Sequence, residues 1–152
     1  MRRNDRKITD KKIIDDILNS ANICRLGLCE NNIPYIVPVN FGYRNNSLYI
    51  HCATEGRKLD IIRNNPNVCF EIELDVEIIM DKEACKSTTR YKSVIGYGRA
   101  SILTDNQQKI EVLDIIMHQH GGLGNYKFKP KVLDMMLALR IDINEISGKQ
   151  SG

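Results

Sequence analysis

The sequence predicts a small, mainly β domain in which about six antiparallel strands form a barrel with a few helices packed on its outside. Three observations support this prediction. Short alternating or apolar runs recur along most of the chain, short turns rich in asparagine, aspartate and glycine join them, and only three segments have the apolar spacing of a helix. Many short strands with few helices between them are typical of a barrel rather than of a parallel sheet.

The length and composition agree with one globular domain. The chain has 152 residues, of which 42% are hydrophobic and 27% charged, which is close to the globular average. We expect a single domain over residues 1–152, with a flexible arm at residues 1–8. No apolar run approaches the roughly 20 residues that span a bilayer, and the charged N-terminus leads into no apolar signal region. We therefore expect no membrane association and a cytoplasmic location.

The first half of the chain predicts one helix and an antiparallel meander. A stripe of four isoleucines and leucines predicts a helix from Asp10 to Ala21, with Thr9 or Asp10 as its N-cap. Strands follow at Ile23–Cys29, Ile33–Phe41 and Leu48–Ala53. Because short asparagine-rich turns separate them, these strands are expected to be neighbours in one sheet.

The second half predicts two helices and three strands. A short helix at Arg57–Asn64 ends before Asn65-Pro66, since a residue that precedes proline avoids the helical region. Thr104-Asp105-Asn106 begins a second helix that continues to about Met117. The strands are Val68–Leu74, continued by the apolar run Val76–Met80, then Tyr91–Leu103, and finally Leu137–Ile146.

Two glycines interrupt the strand Tyr91–Leu103. Gly96 and Gly98 are spaced to point the same way, so they leave one face of the strand bare. Two interpretations stay open: a bend or bulge of the barrel, or room for a flat ligand or a second subunit.

Charge and cysteine usage limit the classes of ligand. The net charge of +3, from 22 basic and 19 acidic residues, is too small for a dedicated nucleic-acid-binding domain and suits a small anionic ligand better. The five cysteines form no CxxC pair, so we interpret them as small core residues in a reducing compartment and expect no metal site. His118 lies one helical turn after Asp114 and is interpreted as half of a solvated pair.

The densest polar cluster follows the third strand, at Gly56-Arg57-Lys58. A glycine at a helix start, followed by two cations, suits a phosphate group, because the free N–H groups and the helix dipole favour an anion there. An exposed turn with two solvated cations is the alternative. His51 is expected to face away from the core, on the side of its strand that carries Tyr49 and Ala53, where it either lines the same pocket or is a structural hydrogen-bonding group.

Several segments together resemble one known family. They are Ile36–Tyr43, Leu48–Lys58, Asn65–Glu71, Tyr91–Ala100 and Ile141–Gln150. In this order they are similar to the pyridoxamine 5′-phosphate oxidase-like, FMN-binding split-barrel family, and within it to the 5-nitroimidazole-resistance, nitroreductase-like branch.

The resemblance implies a homodimer of six-stranded antiparallel split barrels that holds FMN at the subunit interface. The second strand would run under the flavin ring, largely through backbone contacts, with residues Val37, Pro38, Val39, Asn40 and Phe41. The third strand would border the ring and the ribityl chain with His51 and Cys52, and the next turn would hold the phosphate with Gly56, Arg57 and Lys58. A later strand, from the same chain or from the partner, would approach the flavin with Tyr91, Ser93 and Val94.

The same resemblance implies an FMN-dependent oxidoreductase. A reduced nicotinamide would deliver electrons to the flavin, a small nitroaromatic or quinone would accept them, and His51 would donate a proton or orient the acceptor. The alternative is a non-catalytic flavin or haem carrier or sensor. A true pyridoxamine phosphate oxidase is disfavoured, because Ile36 stands where those enzymes carry a basic residue and the C-terminal tail lacks their arginine and histidine. RNA binding through exposed tyrosines is disfavoured by the small net charge.

Overall fold

A computed structural model describes residues 3–152 and consists of one antiparallel sheet with four helices. The strands are β1 (Lys7–Ile8), β2 (Ile23–Glu30), β3 (Ile33–Asn40), β4 (Gly42–Arg44), β5 (Ser47–Ala53), β6 (Asn67–Ile79), β7 (Thr88–Leu103) and β8 (Met136–Ser151). The helices are α1 (Lys11–Ser20), α2 (Arg57–Asn64), α3 (Asn106–Gln119) and α4 (Pro130–Asp134), with short 3₁₀ turns at Asn4–Arg6 and Ala84–Lys86.

The sheet order is β3-β2-β6-β7-β8-β5-β4, and β1 pairs with β8. Every pairing is antiparallel. β3, at one edge, comes back into contact with β5 near the other edge, so the sheet forms a barrel with a split between these strands. The predicted class, a mainly β antiparallel split barrel with flanking helices, is confirmed. The predicted number of six strands is wrong, since the sheet has eight. β1 and β4 have only two and three residues, which is too short to show an alternation of apolar and polar side chains.

The core follows the period-two pattern of the strands. Alternate residues of the central strands, such as Leu26, Phe70, Ile72 and Val94, point inward and are fully enclosed. A smaller cluster lies between α3, α4 and the outer side of β5 and β8. There the buried Lys109 donates from Nζ to the carbonyl oxygen of Leu133 at 2.9 Å, which ties α4 to α3.

Residues 7 and 8 do not belong to an arm. They pair with β8, and the Ile8 side chain is 3% exposed within the main core. A single buried isoleucine in a charged N-terminal segment is too little pattern to predict a strand.

The bare face at Gly96 is filled by the protein's own core. A Cβ on Gly96 would lie within van der Waals overlap of the Phe70 ring, and one on Gly98 would overlap the carbonyl of Asp142. The β7–β8 register shifts between Tyr97 and Gly98. Of the two interpretations left open, the bend with a bulge is the one observed, and the glycines leave no room for a ligand.

Other boundaries differ from the predictions where polar residues sit inside strands. β6 is continuous across Asp75, with a register shift between Leu74 and Glu77, and β8 continues to Ser151 rather than ending at Ile146. α1, α2 and α3 lie where they were predicted, with Asp10 and Asp105 as the side-chain N-caps of α1 and α3.

Candidate functional site

The turn from β5 into α2 has an open helix N-terminus. Gly56 is the N-cap, has a φ of 128°, and has no atom within 4 Å of where a Cβ would stand. Its carbonyl accepts from the N–H groups of Leu59 and Asp60 at 2.9 and 3.2 Å. No side chain caps the helix, so the N–H groups of Arg57 and Lys58 are directed out of it. An anion fits this corner, because the N–H groups and the helix dipole both favour negative charge.

Two cations border the same corner. The Arg57 guanidinium carbon lies 4.8 Å from the centroid of the Tyr35 ring on β3, so the start of α2 is adjacent to the edge strand. Lys58 is half-buried, and its charge acts on the neighbouring Cys52 thiol. Burial is the main reason that the pKa of Cys52 is raised, and Lys58 opposes part of that rise. The thiol is therefore protonated near neutral pH.

β3 offers its backbone along the split. Pro38 and Asn40 are exposed, whereas Val37 and Val39 pack against the core. The side of an edge strand that faces away from its neighbour carries unpaired N–H and C=O groups. The Phe41 side chain is completely enclosed, so only its backbone is accessible to a ligand.

His51 and Cys52 lie near the end of β5, shortly before Gly56. His51 is exposed and pairs with Ala138 of β8, on the same outer side as Tyr49, as predicted. Cys52 points the other way and its Sγ lies 3.7 Å from the carbonyl oxygen of Leu137. Within residues 3–152 no group hydrogen-bonds the His51 ring, so both of its nitrogens are available to a ligand.

Tyr91, Ser93 and Val94 lie far from this corner within one chain. The ladders align His51 with Ala138 and Ala138 with Leu103 of β7. Ser93 precedes Leu103 by ten positions on the same strand, which corresponds to roughly 33 Å of extended chain. The Val94 side chain is fully buried, whereas Tyr91 and Ser93 face outward. One chain does not bring these residues to the α2 corner.

An apolar outer face connects the two regions. Ile36, Gly27, Cys69 and Tyr97 are directly opposite one another across β3, β2, β6 and β7, and Ile95 lies in the next row. A shallow depression of about 280 Å³ lies over this face. Its lining consists of Arg25, Gly27, Ile36, Cys69, Phe70 and Glu71. Exposed isoleucine and tyrosine side chains grouped in this way are typical of a surface that another molecule covers.

The family follows from the whole sequence. Residues 10–150 match the family model described as pyridoxamine 5′-phosphate oxidase. The chain belongs to this family.

Similar proteins include one curated sequence and several solved structures. An uncharacterized protein of Rhizobium meliloti (strain 1021) is 27% identical over 101 residues, and the match spans 66% of this chain and about 60% of that protein's length. A proposed 5-nitroimidazole antibiotic resistance protein of Bacteroides thetaiotaomicron is 28% identical with a TM-score of 0.84, and the alignment covers 95% of this chain and 86% of that one.

Two more distant structures share the fold of this family. A FAD- and haem-binding protein of Mycobacterium smegmatis is 21% identical with a TM-score of 0.85, covering 96% of this chain and 73% of that one. The flavocytochrome Anf3 of Azotobacter vinelandii is 19% identical with a TM-score of 0.84, covering 100% and 72%.

A larger hollow, of about 560 Å³, lies between α1, β4 and α3 and contains none of the predicted site residues. Gln119 at its wall donates from Nε2 to three carbonyl oxygens at the end of α1, and its side-chain oxygen accepts from the N–H of Tyr43. His118 bonds the backbone carbonyl of Asp114 at 2.7 Å rather than its carboxylate, so the predicted side-chain pair is wrong. Gln119 thus ties α3 to α1 and β4, whereas the His118 bond lies within α3.

Neither a metal centre nor a membrane helix emerges from the described chain. Within residues 3–152 no three histidine, cysteine or acidic side chains are grouped as metal ligands, and the five cysteines are free. Among the helices over the same residues, none is both long enough and apolar enough to cross a membrane.

Sequence reasoning missed the contact between Arg57 and Tyr35 and the extent of the apolar outer face. The contact joins residues 22 positions apart in two different elements, and no local pattern indicates it. The face had a readable signal, since outward positions of β2, β3 and β7 carry Ile23, Ile36 and Ile95 where a solvated sheet would carry polar residues.

Proposed function

We propose that this chain is a cytoplasmic FMN-dependent oxidoreductase that acts as a homodimer. The observation that carries the proposal is the α2 corner: an uncapped helix start with an open glycine and two cations, adjacent to the free edge of β3 and the exposed end of β5.

The corner fits the phosphate of FMN. The backbone N–H groups of Arg57 and Lys58 would donate to the phosphate, and their side chains would add charge-assisted hydrogen bonds. A side chain at position 56 would narrow the approach of the phosphate to the backbone, whereas Gly56 leaves it open. The fold accommodates flavins in other proteins, among them the FAD- and haem-binding protein of similar structure.

The remaining residues orient the ligand and the acceptor. Bound FMN supplies the transfer of two electrons from a reduced nicotinamide to a small nitroaromatic or quinone. The β3 backbone would run under the flavin ring at Val37, Pro38, Val39, Asn40 and Phe41. His51, with both nitrogens available, holds the acceptor and donates a proton to it. Cys52, whose thiol pKa is raised by burial, would border the ring as a small uncharged group.

The homodimer accounts for residues that one chain leaves apart. A second copy that covers the apolar outer face would bury Ile36, Ile95 and Tyr97 and would bring its Tyr91, Ser93 and the backbone of Val94 to the flavin of the first. The nitroaromatic acceptor is supported by the similarity to the proposed 5-nitroimidazole resistance protein, which is 28% identical.

Flavin content and turnover test the proposal together. Purified protein should show flavin absorbance at one FMN per chain and should oxidise NADH or NADPH when a nitroaromatic or quinone is added. The variant Arg57→Ala/Lys58→Ala should lose FMN affinity by on the order of a hundredfold, because two charge-assisted bonds of about 1.5 kcal/mol each are removed.

The matched control is Lys12→Ala/Lys82→Ala, which removes two exposed lysines from other surfaces. It should keep FMN affinity in fluorescence titration, and both variants should keep the circular dichroism spectrum of a β protein. Equal affinity of the corner variant and the control would overturn the phosphate site. Stoichiometric flavin without any turnover would instead favour the carrier function, and a haem absorbance band would favour a haem carrier.

A further inference from the structure

A second group of cations lies at the other end of the sheet, where β1, β8 and β7 meet. Lys7 of β1 is directly opposite Lys149 of β8, and Lys149 is directly opposite Ser93 of β7. The neighbouring row, Ile8, Gly148 and Val94, is buried, so the alternation of the strands directs Lys7, Lys149 and Ser93 to the outer face. We call Arg6, Lys7, Lys149, Tyr91 and Ser93 the β1–β8 cluster.

The two lysines of this cluster are an unfavourable pair by themselves. Side chains directly opposite in an antiparallel ladder have Cβ atoms about 5 Å apart, and like charges in that arrangement destabilise the sheet. An anion bound between them would be attracted to both lysines and would offset their repulsion. The arrangement therefore favours a negatively charged partner.

The acids that neighbour the cluster are each bound to other cations within residues 3–152: Asp5 to Arg3, Glu73 to Arg25, and Asp75 to Lys92. Arg6 interacts in addition with Asp5, since it contributes to the lowered pKa of that carboxyl. Lys7 and Lys149 form no ion pair among those residues. Two positive charges are thus directly opposite each other without a carboxylate of the described residues bound to either.

Tyr91 adds a hydroxyl group to the same surface. Lys149 Nζ lies 5.7 Å from the centroid of the Tyr91 ring. The pKa of Tyr91 is lowered chiefly by Lys149, whereas burial opposes this shift and Arg6 adds a smaller part. Two hydroxyl groups and three cations are together the donor set that binds phosphate oxygens.

The cluster is anchored in the fold. Ile8 is buried in the core, and a Cβ on Gly148 would stand only 2.9 Å from the Ile8 Cβ, so β1 packs tightly on β8. The backbone at Lys7 and Lys149 is therefore fixed, so little backbone entropy is lost when the two lysines bind a ligand.

We propose that the β1–β8 cluster binds the phosphate or diphosphate group of a nucleotide. Within one chain this site and the α2 corner lie at different parts of the sheet, since ten residues of β7 separate Ser93 from the row of His51. In the proposed homodimer, Tyr91 and Ser93 also border the flavin of the partner. The anion site stands on the cluster alone. The identity of the nucleotide rests on the proposed function, which offers two sources of a diphosphate: the reduced nicotinamide, or FAD in place of FMN.

Titration with inorganic pyrophosphate tests the anion site. The measurement is made in the Arg57→Ala/Lys58→Ala background, so that the α2 corner does not contribute, with and without Lys7→Gln/Lys149→Gln. We expect one pyrophosphate per chain, with affinity that falls at least about tenfold when both lysines are replaced, because each charge-assisted bond contributes more than a kilocalorie. The control Lys12→Gln/Lys82→Gln should leave the affinity unchanged.

Each outcome separates this inference from the proposed function. Equal pyrophosphate affinity with and without the two lysines would overturn the site, even in a protein that binds FMN. Pyrophosphate binding that depends on the lysines would support the site, even in a protein that binds no flavin. Removal of the like-charged pair should also leave the melting temperature unchanged or slightly raised, so loss of folding does not explain a loss of affinity.

The nucleotide is identified by comparing FMN, FAD, NADH and NADPH on the chain with an intact α2 corner. A selective loss of FAD affinity in Lys7→Gln/Lys149→Gln indicates the flavin diphosphate. A selective rise in KM for NADH or NADPH indicates the nicotinamide donor. If the variant changes none of the four, the nucleotide assignment is wrong and the cluster binds only the free anion.

Discussion

The Arg57 guanidinium lies over the Tyr35 ring, with 4.8 Å between the guanidinium carbon and the ring centroid. This contact joins the first residue of α2 to the edge strand β3 and thereby brings the proposed phosphate corner to the split of the barrel. It also restricts the rotamers of an exposed arginine, so less side-chain entropy is lost when Arg57 binds an anion.

Replacement of Tyr35 by leucine should weaken FMN binding without unfolding the protein. A cation–π contact at an exposed site contributes about 0.5–1 kcal/mol, so we expect a two- to fivefold higher Kd in fluorescence titration. Tyr35→Phe keeps the ring and is the matched control. If the phenylalanine and leucine variants bind FMN equally well, the ring does not position Arg57.

Replacement of Gly56 by alanine should destabilise the start of α2, although the space around it is empty. With φ of 128° and ψ of 160° the residue lies in a region that side chains disfavour, which costs about 1–3 kcal/mol. Urea unfolding of the apoprotein measures this loss. Gly124→Ala, where the nearest atoms are 3.8 Å from the added Cβ, should change stability little, and an equal loss at both positions would contradict the explanation.

A like charge introduced on the outer face should separate the proposed dimer. Ile95 is 43% exposed in one chain and is directly opposite Glu71, so Ile95→Glu would bury an unpaired carboxylate between two copies. Sedimentation velocity should show a monomer with reduced flavin content. Val132→Glu changes a residue of similar exposure, 49%, on α4 and should stay dimeric. A dimer that persists in Ile95→Glu would place the subunit contact elsewhere.

Stability should fall between about pH 10 and 12 because of Tyr43. Its hydroxyl donates to Asp15 Oδ1 at 2.8 Å, and burial, with Asp15, raises the pKa of Tyr43 to about 12. In the unfolded chain the pKa is about 10, so the contribution of Tyr43 is complete below pH 10 and is lost as the pH rises to 12. Urea midpoints measured across this range should decline less in Tyr43→Phe than in the wild type. Parallel declines would show that Tyr43 does not carry the effect.

The sequence predicted elements where many residues repeat one pattern. The alternation in β2, β5 and β7 and the caps Asp10 and Asp105 are local signals, and each marked its element. β1, β4 and α4 have two, three and five residues, too few to show a period. They are ordered by tertiary contacts, such as the one from Lys109 to Leu133.

Only part of the candidate site could be predicted from local sequence. Gly56, Arg57 and Lys58 are consecutive, so their chemistry was visible in the sequence, and the structure shows them at one open helix start. The separation of Ser93 from His51 depends on the ladder register through β8, which no local pattern carries. The family resemblance grouped these residues, whereas a single chain keeps Ser93 apart from His51, which is why the proposed function includes a second copy.

The free edge of β3 affects how prone the ligand-free protein is to aggregate. An exposed edge strand invites pairing with strands of other chains, which leads to aggregation. β3 carries Pro34 and Pro38, which have no N–H to donate, so the edge is a poor template for a continuous ladder. The strand can thus remain uncovered and accessible in a newly made chain, and Pro38→Ala should make the ligand-free protein more prone to form fibres.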